Sequence, residues 1–388
     1  MPNIPEDWGN NFYKTGWQPG LEVNEQTGLG EITHVGTDPN YRNKFDSILK
    51  EWGFNPEQYE IEGSVRASSW NTQLKGGTVE TFYAFKGIVK KKRPGQDKYF
   101  KELFKQAKKK PPLKSKTFGG DTAFLFFMAD WQLGKKDYGV ENTIKRYDIA
   151  LQDAVNRIKD LRKTGVKIDE IYMIGLGDLT ENCYGFYDSQ PFNIELTMIE
   201  QYALARSMMM KTIETFLPHA DKLILAGCPG NHGEASRSQK GQVVTNRLDN
   251  TDTMHLEICE EIMKANPDRY KKVSVVVPDG FHQVMTIKNI PCAWTHGHMT
   301  GGSGNPENKI ENWWKGQMYG FLPAKDAQIL ITGHYHHFRS KQQGDRTWFQ
   351  SPSLDKSLDF TARTGMWSHP GVLTFTVNKK GWDNLKIL

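Results

Sequence analysis

The chain has 388 residues, of which 37% are hydrophobic and 24% are charged, and its net charge is +5 at neutral pH. This composition supplies enough apolar side chains for a buried core and excludes a wholly disordered chain, while the length predicts two domains. No apolar run reaches the ~20 residues that a membrane helix needs, and the first residues lack the pattern of a secretion signal. The four cysteines form no CxxC pair, which is typical of reduced thiols. We therefore expect a soluble cytoplasmic protein that makes no membrane contact.

One segment of the chain is strongly basic. From Lys86 to Lys116 the sequence has 13 Lys or Arg residues against two acidic residues, a local net charge of +11, so the remainder carries −6. A basic strip on an acidic body predicts a polyanionic partner, for which DNA is our expectation. The alternative interpretation is a solvated, lysine-rich linker.

The N-terminal part predicts a small α+β module over residues 1–105. About forty residues rich in Gly, Pro and Asn indicate an extended arm, and helical periodicity follows over residues 41–52. Residues 61–89 have a strand-like pattern. The module is either a winged-helix-like nucleic-acid reader or a generic α+β appendage. The paired prolines Pro111 and Pro112 among lysines then predict a linker over residues 106–119.

From residue 120 to 388 the pattern predicts an α/β domain. Short buried strands are expected at residues 123–128, 170–175, 222–227, 291–294 and 329–332. Helices are expected at residues 140–162 and 195–216. Strands that alternate with helices predict a sheet covered on both faces, with the active site at the carboxyl ends of the strands. Residues 371–377 alternate like an antiparallel strand, which we expect to complete a second sheet.

A polar cluster of metal-ligand type follows each of the five strands. The carboxylates, amides and imidazoles in these clusters are Asp130, Gln132, Asp178, Glu181, Asn182, Asn231, His232, Glu234, His296, His298, His334 and His336. Mixed imidazole and carboxylate ligands favour Mn, Fe or Zn over Mg or Ca. Their number exceeds what one ion needs, and it fits two ions that share a bridging carboxylate, an arrangement used for phosphoester hydrolysis.

The order D-x-Q, GD, GNH, H-G, GHxH over residues 120–388 resembles the calcineurin-like metallophosphoesterase superfamily. Within it, the chain is most similar to SbcD-type DNA repair nucleases and related phage phosphoesterases. The resemblance implies a four-layer α/β/β/α sandwich with the N-terminal α+β domain outside it. It leaves open a homodimer or an ATPase partner, and a phage-encoded protein would act in the host cytoplasm.

The resemblance also implies a role for each ligand. Two divalent metal ions are expected, with Mn²⁺ preferred and Mg²⁺, Fe or Zn as alternatives. Asp178 would bridge the two ions, and His232 would be the catalytic residue that protonates the leaving group. The first metal position would be formed by Asp130, Gln132 and His336, and the second by Asn231, His296 and His334.

Three of these residues are not usual metal ligands of the superfamily. The superfamily usually has His where this chain has Gln132, and an amide oxygen is a weaker donor, so we expect loose binding at the first position. His298 lies two residues from His296 and would hydrogen-bond the substrate. Asn182 follows the bridging carboxylate and is our other candidate for substrate binding.

These patterns favour a metal-dependent phosphodiesterase that acts on DNA as an exonuclease or endonuclease. The first alternative is a phosphoesterase for nucleotides, cyclic nucleotides or phosphoproteins, because one fold hosts many activities. The second alternative is a nucleic-acid-binding protein that has lost catalysis at Gln132.

Overall fold

The structure is a computed structural model that describes the chain from residue 13 to residue 388, with several short gaps. The gaps are residues 25–28, 40–44, 57–58, 74–76, 92–95, 114–115, 236–244, 247, 302–303, 357, 359–360, 363–364 and 366. The chain divides into two compact units, Met1–Pro94 and Gly95–Leu388. Within the described residues, no helix combines the length and the apolar character that a membrane-spanning segment requires.

The first unit is an antiparallel sheet with one described helix. Its strands are β1 (Gly20–Asn24), β2 (Leu29–Gly36), β3 (Tyr59–Gln73) and β4 (Val79–Lys91), in the order β1-β2-β4-β3. Helix α1 (Phe45–Glu51) buries Ile48 and Leu49 against Ile32 and Val89. The unit is therefore the α+β module that the sequence predicts. The described residues do not contain the several helices of a winged helix.

Part of the expected N-terminal arm is sheet. β1 and β2 pair with each other, and β2 pairs with β4. The arm was predicted from its Gly, Pro and Asn content. Composition alone cannot show that a segment pairs with a strand about fifty residues away. The expected arm residues 1–12 lie outside the described residues.

The boundary between the units lies earlier than the sequence pattern indicates. Helix α2 (Gln96–Lys109) belongs to the second unit, although we expected the N-terminal module to extend to residue 105 and a linker to follow over 106–119. Ala107 is buried in the main core, and Leu103 packs against it. Asn266 Nδ2 donates to Lys110 O at 2.8 Å. The second half of the basic strip is thus held on the larger unit by packing and hydrogen bonds.

The second unit contains two sheets. The first sheet has the order β15-β14-β5-β6-β7-β8. Its strands are β5 (Thr122–Met128), β6 (Ile168–Gly175), β7 (Lys222–Gly227), β8 (Val273–Val276), β14 (Leu373–Asn378) and β15 (Gly381–Ile387). The second sheet has the order β12-β13-β11-β10-β9. Its strands are β9 (His282–Ile287), β10 (Ile290–Thr295), β11 (Ile329–Thr332), β12 (Arg339–Gln343) and β13 (Arg346–Gln350).

Helices cover the outer faces of both sheets. They are α3 (Val140–Lys163), α4 (Met198–Phe216), α5 (Thr251–Lys264), α6 (Pro267–Tyr270) and α7 (Pro306–Tyr319). Phe124 and Phe126 on β5 pack with α3 and α4, while Leu125 and Phe127 pack into the core between the sheets. Since side chains alternate along a strand, β5 contributes to two cores. Helix α7 packs on the far face of the second sheet through Ile310. The expected four-layer α/β/β/α sandwich is confirmed.

One predicted strand joins a different sheet from the one expected. β14 pairs antiparallel with β5 in the first sheet, with Phe375 opposite Leu125. We expected this segment to complete the second sheet. Alternation predicts the strand itself, but the choice of partner depends on a pairing across about 250 residues.

Candidate metal centre

The polar clusters meet where parallel strands from both sheets end. β5, β6 and β7 are parallel in the first sheet, and β10 and β11 are parallel in the second. The loops after β5 and β6 remain paired beyond the strands: Asp130 N donates to Gly177 O at 3.1 Å, and Gln132 N donates to Asp178 O at 3.0 Å. This continued pairing places the Asp130 and Asp178 loops side by side.

Two glycines allow the ligand loops to approach each other closely. A Cβ on Gly230 would lie 2.2 Å from Asp178 Oδ1, and a Cβ on Gly333 would lie 2.8 Å from Asp130 Oδ2. Any other residue at these positions would displace a candidate ligand. Packing between the loops therefore explains the glycines of the GNH and GHxH motifs.

The expected second metal position is assembled. Ligand atoms of Asp178, His296 and His334 lie within 4.8 Å of one another and could hold a metal ion. His296 Nε2 is 3.0 Å from Asp178 Oδ2 and 3.1 Å from Asn231 Oδ1. His296 Nδ1 donates to Leu176 O at 2.7 Å, which directs Nε2 toward the other ligands. These donors are of the types that suit Mn, Fe or Zn.

The charges of these residues balance one another. Burial alone would raise the pKa of Asp178, but His296 holds this pKa well below its usual range. Burial also opposes a charge on His296, yet Asp178 outweighs it and raises the pKa of His296 to about 9. Burial, followed by repulsion from His296, lowers the pKa of His334 to about 2. At neutral pH Asp178 is therefore ionised and His334 is neutral, the states in which these two bind metals, while His296 carries a proton that a bound metal ion would displace.

The residues expected at the first metal position make a different set of contacts. Asp130 is fully buried and accepts from His334 N at 3.1 and 3.2 Å. His336 Nε2 lies 3.3 Å from Asp130 Oδ1 and 3.3 Å from Gln132 Nε2. Asp130, Gln132 and His336 are thus brought together as expected, but the amide nitrogen of Gln132 faces His336. That Asp178 bridges both positions stays a prediction.

His232 lies beside the ligands in a fixed orientation. Its backbone N donates to Asp178 Oδ1 at 2.7 Å, and its Nδ1 lies 2.7 Å from Glu181 O. Because a carbonyl only accepts, Nδ1 carries the proton. The ring stacks on Phe186 with centroids 4.0 Å apart, and Glu181 Oε2 lies 3.6 Å from Nδ1. His232 also lines the cavity described below, so its remaining nitrogen is placed to exchange a proton with a bound molecule.

A buried carboxylate on α5 joins two of the ligand loops. Asp252 accepts from the backbone N of Asp178 at 3.1 Å, of Leu179 at 3.1 Å and of Gly230 at 2.9 Å. Asn250 caps α5 and donates from Nδ2 to Gly230 O at 2.7 Å. Neither residue could be recognised from the sequence, because an Asn two residues before an Asp is an ordinary helix start. Nothing in the local pattern shows that these side chains face a loop about seventy residues away.

The two candidates for substrate binding, Asn182 and His298, do not line the cavity described below. Asn182 Nδ2 donates to His232 O at 3.3 Å and to Glu234 O at 3.2 Å, so it supports the loop that carries His232. The ring centroid of His298 lies 5.3 Å from that of His296 and 6.2 Å from that of His334. His298 therefore packs against the second metal position, and neither residue lines the cavity.

A cavity of about 700 Å³ opens beside the centre. Gln132, His232, His334 and His336 connect it to the candidate ligands. Its lining also includes polar residues from several loops that no sequence pattern pointed to: Lys135, Asp137, Tyr187, Asp188, Ser189, Asn193, Tyr335, Ser353, Asp355, Lys356, Thr361 and Ser368. Its volume lies in the range of small-molecule sites.

No family model matches the chain, and no curated protein matches it either. Several solved structures do match the chain. A Streptococcus pneumoniae TIGR4 protein described as a predicted phosphoesterase is 12% identical, with 69% of this chain and 89% of that chain covered and a TM-score of 0.29. An archaeal phosphodiesterase is 13% identical, with 68% and 99% covered and a TM-score of 0.30. Vps29 of Entamoeba histolytica in complex with Zn²⁺ is 11% identical, with 68% and 98% covered and a TM-score of 0.28.

Proposed function

We propose that this protein is a divalent-metal-dependent phosphodiesterase that hydrolyses DNA. The observation that carries the proposal is the grouping of Asp178, His296 and His334 next to His232, an imidazole oriented by other contacts. A divalent ion held by these residues would neutralise phosphate charge and lower the pKa of a coordinated water. The fit is chemical as well as geometric, because one carboxylate, two imidazoles and the amide of Asn231 form a mixed donor set that suits Mn or Zn.

The protein's own contribution to catalysis centres on His232. Glu181 O holds Nδ1–H, and Phe186 fixes the plane of the ring. Nε2 is then the atom that delivers a proton to the leaving alkoxide. The carboxylate of Glu181, when ionised, stabilises the imidazolium that this step requires. General acid catalysis by a positioned group contributes about 10²–10⁴-fold to a rate.

The choice of DNA as substrate depends on charge. Helix α2 exposes four lysines, Lys101, Lys105, Lys108 and Lys109, on the unit that carries the metal centre. Such a row binds a phosphate backbone without regard to sequence. In the other half of the strip, Lys86 forms an ion pair with Glu31. Residues 92–95 lie outside the described residues, so α2 is the part of the strip that supports the proposal.

The cavity favours a second candidate. A volume of about 700 Å³ suits a nucleotide-sized ligand. A phosphoesterase for nucleotides or cyclic nucleotides would use the same ligands and the same His232. The two candidates differ in whether the exposed face of α2 takes part in binding.

The test is a comparison of three substrates. The purified full chain is incubated with Mn²⁺, and separately with Mg²⁺, against end-labelled single-stranded DNA, duplex DNA and a cyclic nucleotide. We expect metal-dependent shortening of DNA that chelation abolishes and that Asp178→Asn lacks. Hydrolysis of the cyclic nucleotide alone would replace the first candidate with the second. DNA binding without any hydrolysis would contradict both candidates.

A further inference from the structure

The amide of Gln132 is held between two side chains that fix its orientation. Its Oε1 accepts from Lys135 Nζ at 3.2 Å, and its Nε2 lies 3.3 Å from His336 Nε2. The reversed amide would place its NH₂ group against an ammonium group that only donates. The amide oxygen, which is the atom through which Gln132 could bind a metal, is therefore directed to Lys135.

Lys135 carries a positive charge into the wall of the cavity. Its Nζ lies 2.8 Å from Asp355 Oδ2, and the two side chains are 12% and 2% exposed. A carboxylate this close and this buried keeps the lysine charged, because a lone charge there would be costly. Only the amide group of Gln132 separates the Lys135 ammonium from His336. The ammonium therefore repels a divalent cation placed beside that imidazole.

The two expected metal positions therefore differ. At the second, Asp178, His296 and His334 converge within 4.8 Å. At the first, Gln132 presents N–H groups to His336 instead of an oxygen, and its amide oxygen accepts from Lys135. The second position fits a divalent ion, and the first does not.

We propose that this chain holds a single divalent ion, at Asp178, Asn231, His296 and His334, and that Lys135 supplies the positive charge of the first position. The proposal rests on the metal-dependent site of the proposed function and replaces the expectation of two ions. Lys135 and Asp355 both line the cavity, so Lys135 offsets a carboxylate that would otherwise repel an anionic substrate. Lys135 is therefore a further residue for substrate binding.

The test counts Mn²⁺ ions on the metal-free full chain. Elemental analysis after equilibration gives the stoichiometry, and electron paramagnetic resonance separates an isolated Mn²⁺ from an exchange-coupled pair. We expect one ion and an isolated spectrum for the wild type. For the double variant Gln132→His with Lys135→Met, which restores an imidazole donor and removes the charge, we expect two ions and a coupled spectrum.

Matched variants control for local disturbance. Lys136→Met removes an exposed neighbouring lysine and is expected to leave one ion, while Asp178→Asn is expected to lose it. Two coupled ions in the wild type would overturn this proposal and leave the metal-dependent phosphodiesterase intact. One ion in a double variant whose circular dichroism and melting temperature match the wild type would also overturn it. No ion in the wild type would overturn the proposed function together with this inference.

Discussion

Several candidate ligands occupy backbone conformations that are unfavourable for residues other than glycine. Asp130, Asp178, His334 and His336 have φ values of 47°, 53°, 71° and 59°. Each such residue costs about 1–3 kcal/mol and persists only where surrounding contacts fix it. The contacts here are the hydrogen bonds between the loops, such as His334 N to Asp130. These conformations lower the folding stability of the chain, and they bring the candidate ligands together at one edge of the sandwich.

Substitution of His232 separates catalysis from metal binding. We expect His232→Ala to lower turnover by about 10²–10⁴-fold and to leave Mn²⁺ affinity unchanged, because His232 reaches Asp178 through its backbone N. Asp178→Asn is expected to reduce both the turnover and the Mn²⁺ affinity. Steady-state kinetics and a calorimetric Mn²⁺ titration of the two variants check this. Equal metal loss in both would show that His232 is itself a ligand.

Gly233 tests the support that α5 gives to the ligand loops. A Cβ there would lie 2.4 Å from Asn250 Oδ1 and 2.6 Å from Asp252 Oδ2. We expect Gly233→Ala to displace Asp252 from the Asp178 loop and to weaken Mn²⁺ binding by about 10–100-fold. The matched control is Gly316→Ala on α7, where a Cβ meets nothing within 4 Å. Unchanged Mn²⁺ affinity in Gly233→Ala would remove this role from Asp252.

Helices and strands whose apolar residues repeat regularly could be predicted from the sequence. The segments that they pair or pack with could not. β7 and β11 have the bounds that the sequence indicates, and α3 extends one residue beyond its prediction. Their apolar residues repeat with a fixed period, which is a local property. The place of β14 next to β5, and of α2 on the larger unit, depends on contacts between distant segments that no local pattern records.

The packing of α4 against α5 predicts sensitivity to acid. Burial, and then the neighbouring Arg206, lowers the pKa of His255 to about 3. The pKa of His255 in the unfolded chain is about 6.5. Below this pH the imidazole binds a proton in the unfolded chain but not in the folded chain. Folding stability therefore falls with pH between about 6.5 and 3, by about 1.4 kcal/mol per unit.

His255→Gln is expected to remove this contribution. Between pH 7.5 and pH 5, the free energy of unfolding of the wild type is expected to fall by about 2 kcal/mol more than that of the variant. Urea unfolding at both pH values gives the difference. Parallel losses in the two proteins would mean that His255 is protonated in the folded state.

The clusters that follow the strands predicted which side chains would meet, but not which contacts would hold them there. Strand ends in an α/β sandwich meet at one edge, so Asp130, Asp178 and His334 could be placed together from the sequence. The contact of Lys135 with Gln132 and Asp355 joins segments 220 residues apart. In our proposal that contact prevents Gln132 from binding a metal, and it becomes visible only in the folded chain.

The C-terminal end of α2 lies at the end of α4 that is farther from the metal centre. Gln201, near the start of α4, contacts Asn182 beside the centre, and Glu214 near its end contacts Lys110. At 1.5 Å per residue these two points are about 20 Å apart. A single strand that reached both would span about six nucleotides.

Neutralising the face is expected to weaken DNA binding and reduce its salt dependence. The variant changes Lys101, Lys105, Lys108 and Lys109 to Gln. Each lysine that contacts a phosphate contributes about 0.7–0.9 to the slope of log affinity against log salt. The matched control changes four exposed lysines on and after α3 to Gln: Lys145, Lys159, Lys163 and Lys167. Binding titrations at several salt concentrations check this, and equal slopes in both variants would contradict a specific role for α2.

The most direct test of a metal-dependent phosphodiesterase centred on Asp178 is the initial rate of hydrolysis of a small chromogenic phosphodiester. This substrate needs no basic face, so its rate reports on the centre alone. We expect a rate that saturates with Mn²⁺ for the wild type and for the α2 variant, and none above background for Asp178→Asn. No Mn²⁺-dependent rate in the wild type, or an equal rate in Asp178→Asn, would contradict the assignment.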